Sequence, residues 1–119
     1  MQPPQISVLY EDKQLLALNK PHGLVVEYEP HLKFTLESQA LNYLRSNEKY
    51  PQKCFIGLPP RLDRPVSGVA LFAKKRLTIK LLVEKFSHRE IEKTYLAIVE
   101  KAPAQPEAEL NNWLVKDTQ

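Results

Sequence analysis

A single carboxylate, Asp63, stands between Arg61 and Arg64 in a short segment bounded by Pro60 and Gly68. Loops of this composition beside a strand are where rigid scaffolds often present catalytic groups. Adjacent cations favour the ionised form of a carboxylate, and a nucleophile or an oxocarbenium stabiliser must be ionised. The same arrangement is also typical of a structural ion-pair cluster. Residue types alone therefore make Asp63 only a candidate catalytic residue.

Histidine and cysteine, which often act in catalysis or bind metals, are few in this chain and far apart in sequence. His22, His31 and His88 lack the spacing of metal ligands, either with one another or with the single cysteine, Cys54. We therefore expect no metal site and no cofactor. One cysteine cannot form an internal disulfide, and this favours a reducing compartment, most simply the cytoplasm.

Basic residues are concentrated in the middle of the chain. Residues 61–93 carry nine Lys or Arg against four Asp or Glu, whereas the formal charge of the whole chain is only +3. Such a block can follow the phosphate backbone of a nucleic acid. A solvated helix face would give the same count, so charge leaves both interpretations open.

The composition indicates one compact domain. The chain has 119 residues, of which 43% are hydrophobic and 26% charged, and these are ordinary values for a globular protein. No stretch approaches the roughly 20 apolar residues of a membrane span. Residues 1–4 lack the layout of a signal peptide. We therefore expect a protein that does not have the membrane as a partner.

The hydrophobic pattern predicts a mixed α+β fold. Strands are predicted where apolar residues alternate or form short runs, at residues 6–10, 15–18, 24–26, 54–56, 69–73 and 93–99, with another beginning within 110–115. Helices are predicted at residues 36–46, capped by Thr35, and at residues 75–88. Because strands and helices do not alternate regularly, we expect a mostly antiparallel sheet flanked by helices.

Four motifs together resemble the RluA/RsuA-type RNA pseudouridine synthases, and the RluA-like members more closely. Their family patterns are His-Arg-Leu-Asp with Thr-Ser-Gly, Asn-Lys-Pro-x-Gly-Leu and Lys-x-Tyr. The matching segments here are Arg61-Leu62-Asp63 with Ser67-Gly68, Asn19-Lys20-Pro21-His22-Gly23-Leu24, Glu92-Lys93-Thr94-Tyr95-Leu96-Ala97 and, more weakly, residues 112–117. The motifs occur in the family order across residues 6–117, and this ordered set is what makes the resemblance specific.

The resemblance implies an isomerase that converts uridines in rRNA or tRNA to pseudouridine without a cofactor. It implies that Asp63 is the catalytic group, that Arg61 helps to displace the target nucleotide, and that Tyr95 stacks on the target uracil. Arg64, the second arginine beside Asp63, is a further candidate for binding the RNA. The target must flip out of its stack, because a stacked uridine is not accessible. The turn at residues 19–24 is expected to be structural.

The chain departs from the family pattern in two ways. Pro60 replaces the usual histidine and Val66 the usual threonine, so the positioning of the loop is expected to depend on backbone rigidity. Catalytic domains of the family are also about twice as long. We therefore expect residues 1–119 to be a single partial catalytic domain, about its N-terminal half, without the accessory N-terminal RNA-binding domain.

Two alternatives are consistent with the same sequence. The first is a non-catalytic RNA-binding fragment or paralogue that retains the fold and the basic face. The second is a protein-interaction module that self-associates through an exposed sheet edge. Asp63, Arg61 and Tyr95 occurring together favour the enzyme.

Overall fold

A computed structural model of the chain describes residues 2–48, 51–59 and 62–118. Across these ranges it contains one three-stranded antiparallel sheet in the order β1-β2-β3, two α-helices and a short 3₁₀ helix. In chain order the elements are β1 (Ser7–Glu11), β2 (Leu15–Lys20), α1 (Leu36–Asn47), the 3₁₀ helix (Pro51–Lys53), β3 (Gly68–Ala73) and α2 (Arg76–Ser87). The predicted α+β class is confirmed. Within the described ranges, no helix is both long and apolar enough to cross a membrane.

The β1–β2 hairpin is closed by Asp12. Its Oδ1 accepts hydrogen bonds from the backbone N–H groups of Gln14 and Leu15, each at 2.7 Å, and its Oδ2 accepts one from the Tyr10 hydroxyl at 2.8 Å. An aspartate that binds the backbone two and three residues ahead stabilises a turn. These bonds, that from Gln14 most strongly, lower the pKa of Asp12. The predicted hairpin is thus confirmed, with its turn at residues 12–14.

The central strand β2 forms the middle of the core. Leu16 and Leu18 are fully buried, and β3 adds Phe72 beside them. The remaining buried members of the core are Val26, Leu36, Ala40, Leu44 and Ala70. Since β2 is paired on both sides, its backbone is satisfied, and burial of these side chains supplies the main stabilisation.

Helix α1 begins after Thr35, as the sequence predicts, and the cap proves to be a capping box with Ser38. The Thr35 hydroxyl accepts a hydrogen bond from the Ser38 amide at 3.1 Å, and the Thr35 amide donates one to Ser38 Oγ at 3.0 Å. Leu36, Ala40 and Leu44 follow at spacings of four residues and bury one face of the helix. The predicted helix at residues 75–88 is also confirmed, as α2.

Two short strands expected from the sequence are absent. The carbonyls of Val25 and Val26 accept the amides of Leu36 and Glu37 at 2.9 Å, so residues 25–26 satisfy the first turn of α1 instead of joining the sheet. Residues 54–56 also form no strand. Only Gly57 bridges to Ala73, through backbone hydrogen bonds of 2.9 and 2.8 Å.

The strands expected at residues 93–99 and 110–115 are wrong. From residue 92 to residue 118 the backbone has no regular secondary structure, and the side chains of Leu96, Ile98 and Trp113 are fully exposed. A strand requires a neighbouring strand to satisfy its amides and carbonyls. No described strand pairs with this segment, so the alternating apolar pattern has no sheet to join.

Candidate functional site

Asp63 lies in the loop that leads into β3. Leu62, just before it, packs against the core, and Gly68 begins the strand after it. The Val66 amide donates a hydrogen bond of 3.0 Å to the Asp63 carbonyl, which closes a turn over residues 64–65. The Asp63 side chain is exposed at the first position of that turn. The loop therefore fixes the backbone of Asp63 and leaves its carboxylate open to a ligand.

The turn that follows β2 holds this loop in place. Four hydrogen bonds join the two segments: Lys20 Nζ to the Arg64 carbonyl at 3.0 Å, the Gly23 amide to the same carbonyl at 2.9 Å, Arg64 Nε to the Gly23 carbonyl at 3.0 Å, and His22 Nδ1 to the Pro65 carbonyl at 2.8 Å. Because a carbonyl only accepts, His22 must carry its hydrogen on Nδ1 in this contact. Two motifs about forty residues apart in sequence thus form one structural unit.

Lys20 is the centre of this unit. Its side chain is fully buried, and its ammonium group donates to three backbone carbonyls, those of Pro21 at 3.0 Å, Leu24 at 2.8 Å and Arg64 at 3.0 Å. An ammonium group has three donors, so all of them are satisfied. Burial lowers the pKa of Lys20. The lysine therefore binds neutral oxygens of the loop and does not neutralise the Asp63 carboxylate.

Glycine is required at two points of the unit. Gly23 has φ of 86°, and a Cβ placed there would meet no atom within 4 Å, so the constraint is the backbone conformation. Gly68, which pairs with Lys20 in the sheet, has φ of 138°, a value that residues with side chains rarely adopt. The tight entry from the loop into β3 explains why the motif ends in glycine.

Arg64 does not form an ion pair with Asp63. Its Nε binds the Gly23 carbonyl, and within the described ranges the Asp63 carboxylate has neither a hydrogen bond nor a salt bridge. The alternative of a structural ion-pair cluster thus finds no support at Arg64. Arg61 and Pro60 lie outside the described residues.

Tyr95 is not part of the hydrogen-bonded unit. It belongs to the irregular segment after α2, and 63% of its surface is exposed. The structure therefore brings Asp63 and Arg64 together with the turn at residues 20–24, but it does not add Tyr95.

A cavity of about 320 Å³ adjoins the loop, between Leu62, Arg64 and residues 25–32. This volume lies at the lower end of the range for sites that bind small molecules. Glu27 and Glu29 also line it. In the part of the chain that the structure describes, no group of three or more His, Cys, Asp or Glu residues could hold a metal ion.

The sequence contains a signal for the buried lysine that residue-type reasoning did not use. Leu16, Leu18 and Lys20 alternate along β2, and all three are buried. A charged residue that falls on the apolar face of a strand must find internal partners. The contact of Lys20 with Arg64 was missed because it depends on how the chain returns to the sheet.

Comparison with known proteins identifies relatives of this chain. A family model described as RNA pseudouridylate synthase matches residues 14–119. The chain is 41% identical over 92 residues to ribosomal large subunit pseudouridine synthase C of Haemophilus ducreyi and to the protein of that name from Escherichia coli strain K12. Each match covers 77% of this chain and 27% of the relative.

A solved structure is similar as well. The human RNA pseudouridylate synthase domain containing 4 superposes with a TM-score of 0.56 at 28% sequence identity, over 70% of this chain and 30% of that one. The chain thus spans less than a third of the length of each of these proteins.

Proposed function

Because this chain belongs to the RNA pseudouridylate synthase family, we propose that it contributes to converting uridine in RNA to pseudouridine, with Asp63 as the catalytic group. The observation that supports this most directly is the environment of Asp63. Its backbone is anchored through the turn at residues 20–24, while its carboxylate is exposed and unpaired within the described part of the chain.

The reaction explains why one carboxylate suffices. The bond between the ribose and the uracil nitrogen breaks, the base turns, and a carbon–carbon bond forms, with no net oxidation or reduction. Asp63 can attack the sugar carbon, remove a sugar proton or add to the uracil ring. Each route requires direct contact between the carboxylate and the target nucleotide. The proposal therefore includes flipping of the target uridine out of its stack.

An anchored loop favours this chemistry because the geometry exists before RNA binds. Groups held in position in advance lower the entropic cost of reaching the transition state. The contacts of Lys20 and Gly23 with Arg64 involve backbone atoms of the loop, so they do not compete with substrate for the Asp63 side chain. We propose that Lys20 is a positioning residue for this reason.

The flanking residues have distinct proposed roles. Arg61 fills the space that the flipped nucleotide leaves, and Arg64 binds a nearby phosphate through the guanidinium nitrogens that Gly23 does not occupy. Tyr95 stacks on the uracil ring, and its exposure leaves the ring accessible. Stacking of an aromatic side chain on a base contributes about 1–3 kcal/mol.

The names of the relatives guide the choice of substrate. Both bacterial relatives carry the name ribosomal large subunit pseudouridine synthase C. We therefore propose rRNA in preference to tRNA as the substrate, and the cytoplasm as the compartment. A purely non-catalytic RNA-binding role gives no reason for an anchored loop that presents a carboxylate without a partner among the described residues.

The test is release of tritium from RNA labelled at carbon 5 of uridine, because forming the new bond at that carbon displaces its hydrogen. We would assay the 119-residue chain beside the longest product that its reading frame encodes. Release by either protein, lost in Asp63→Asn, is expected. RNA binding without release by both proteins would contradict the proposal and favour the non-catalytic role.

A further inference from the structure

A second cavity, larger than the one beside the Asp63 loop, lies at the other end of β3. It has a volume of about 460 Å³ and sits where β3 ends and α2 begins, beside Lys74 and Lys75. Lys13 and Lys53 also line it, together with Glu48 and Phe55. The loop of Asp63 precedes β3, whereas this basic cavity follows it. The two sites therefore lie at opposite ends of one strand.

Backbone contacts build the floor of the basic cavity. The bridge between Gly57 and Ala73 draws the preceding residues against the end of β3, which places Phe55 in the cavity. The Arg76 guanidinium lies over the Phe55 ring, with 4.8 Å between Cζ and the ring centroid. This cation–π contact adds a fifth cation beside the four lysines.

Lys74 is fixed at the rim by the β1–β2 hairpin. Its Nζ donates to the Asp12 carbonyl at 2.8 Å and forms a salt bridge of 3.3 Å with Glu11. Its backbone amide also donates to the Gln14 carbonyl at 2.7 Å. The hairpin, the end of β3 and the start of α2 thus meet at one place, and the cations they carry are held together.

The charges around the basic cavity favour an anion. Among the described residues, five cations, Lys13, Lys53, Lys74, Lys75 and Arg76, lie around three carboxylates, Glu11, Asp12 and Glu48. The Asp12 carboxylate already accepts hydrogen bonds from the Tyr10 hydroxyl and the Gln14 amide within the hairpin. The Glu11 carboxylate binds both Lys74 and the Tyr43 hydroxyl. Positive charge is open to solvent at this site, because the side chains of Lys13 and Lys75 are exposed.

We propose that the basic cavity holds the phosphate backbone of the RNA at a distance from the target uridine. This inference rests on the proposed function, since it identifies the polyanion as the RNA that Asp63 modifies. β3 runs from one site to the other, and the five steps between its first and last Cα atoms span roughly 17 Å at about 3.3 Å per residue. A strand that rises about 3.4 Å per nucleotide would reach the cavity about five nucleotides or more from the target.

The first test measures RNA affinity of the 119-residue chain as a function of salt. The probe is a fluorescein-labelled RNA stem-loop with a uridine in its loop and at least ten base pairs of stem. The cavity variant combines Lys13→Gln, Lys53→Gln and Lys75→Gln. The matched control combines Lys80→Gln, Lys101→Gln and Lys116→Gln, which removes the same charge from exposed lysines outside the cavity. Circular dichroism checks that both variants fold.

We expect the cavity variant to lower the slope of log affinity against log salt by about 2 to 3, because each phosphate contact contributes about 0.7 to 0.9. The control should lower it by less than about 1. Equal losses in the two variants would overturn the proposal, since the lysines would then act only through overall charge. Absence of salt-dependent binding by the unmodified chain would overturn it as well.

A second test reports on the cavity itself. Cys54 lines it, is partly accessible and is the single cysteine of the sequence. Saturating RNA should slow alkylation of Cys54 by neutral iodoacetamide severalfold. The control chain, Cys54→Ala with Lys101→Cys, should react at the same rate with and without RNA. An unchanged rate at Cys54 would show that RNA binds elsewhere.

These measurements are independent of turnover. A chain that binds RNA through the basic cavity but releases no tritium in any form would contradict the proposed function and support the cavity. A chain that releases tritium and loses equal affinity in both triple variants would support the function and overturn the cavity.

Discussion

Lys20 donates a hydrogen bond of 3.0 Å to the backbone carbonyl of Arg64, a residue 44 positions further along the chain. The bond joins the end of β2 to the residue that directly follows Asp63. It is one of three that the buried ammonium group makes to carbonyl oxygens. The position of the candidate catalytic group is thus linked to the central strand of the sheet through a buried lysine.

Replacing this lysine should loosen the loop. Lys20→Met keeps the length of the side chain but leaves the carbonyls of Pro21 and Leu24 without their donor. Hydrogen bonds to a charged group contribute about 1.5–3 kcal/mol each, offset in part because an ammonium group is no longer buried. We expect the free energy of unfolding, measured in urea, to fall by about 2–4 kcal/mol. Lys80→Met, an exposed change on α2, should stay within about 0.5 kcal/mol. Equal stability of Lys20→Met and the unmodified chain would contradict the structural role.

Asp63→Asn should separate chemistry from folding. The side chain has no partner among the described residues, so the melting temperature should not change. Turnover should fall at least about 10³-fold, within the range that proton transfer by one group supplies. The assay is tritium release in whichever form of the protein shows it, and Glu84→Gln on the exposed surface of α2 is the matched control. Near-normal turnover of Asp63→Asn would remove Asp63 as the catalytic group.

Gly57→Ala tests the close approach of α2 to the end of β3. A Cβ at this position would lie 2.9 Å from Ile79 Cβ, a contact that the fold cannot accept without a backbone shift. Overpacking of this kind costs about 1–3 kcal/mol. Gly23→Ala is the comparison, because there the space is open and only the φ of 86° is unfavourable. Since Ile79→Ala retains its Cβ, it should relieve the penalty at residue 57 only in part. A fully stable Gly57→Ala chain would show that α2 moves freely.

The hairpin should weaken in acid because of Asp12. Hydrogen bonds from the Gln14 amide, the Tyr10 hydroxyl and the Leu15 amide hold the pKa of Asp12 below its ordinary 3.8. The folded chain therefore binds fewer protons than the unfolded chain as the pH falls. This contribution to stability is complete above pH 3.8 and is lost as the pH falls through the lower value of the folded state.

Urea unfolding of the unmodified chain and of Asp12→Asn, followed from pH 7 to pH 2, measures this effect. The difference in stability between the two chains should shrink below pH 3.8. A difference that stays constant over the whole range would show that the charge of Asp12 is not what stabilises the turn.

Local sequence patterns were sufficient to predict the helices and strands that depend on residues close together in sequence. The Thr35 cap, the spacing of Leu36, Ala40 and Leu44, and the apolar run of β3 each depend on residues close together in sequence, and the structure confirms them. The strand expected at residues 93–99 shows the limit of such patterns. Alternation indicates which face would be buried, but only a neighbouring strand can supply the hydrogen bonds.

In the candidate site, too, local motifs could be predicted from the sequence, whereas contacts between distant segments could not. The family resemblance pointed to Asp63 and to the turn at residues 19–24 separately, yet their contact depends on β2 and β3 pairing in a register that places Lys20 opposite Gly68. The roles of Arg61, Arg64 and Tyr95 remain predictions, since no observation of the structure tests them. The sequence predicted only a basic block at residues 61–93, and not the cavity, because Lys13 and Lys53 lie outside that block and are remote in sequence from Lys75.

The anchor of the Asp63 loop has a further consequence for mutational tolerance. Lys20, His22 and Gly23 bind carbonyl oxygens at positions 64 and 65, and every amino acid possesses that oxygen. Three of the four hydrogen bonds between the two segments are therefore independent of side-chain identity at those positions, and substitution there removes only the bond from Arg64 Nε to the Gly23 carbonyl. A saturation library there should recover many variants that keep the shape of the loop. Substitutions at the two positions can thus change RNA preference while the loop keeps its backbone hydrogen bonds to the turn at residues 20–24.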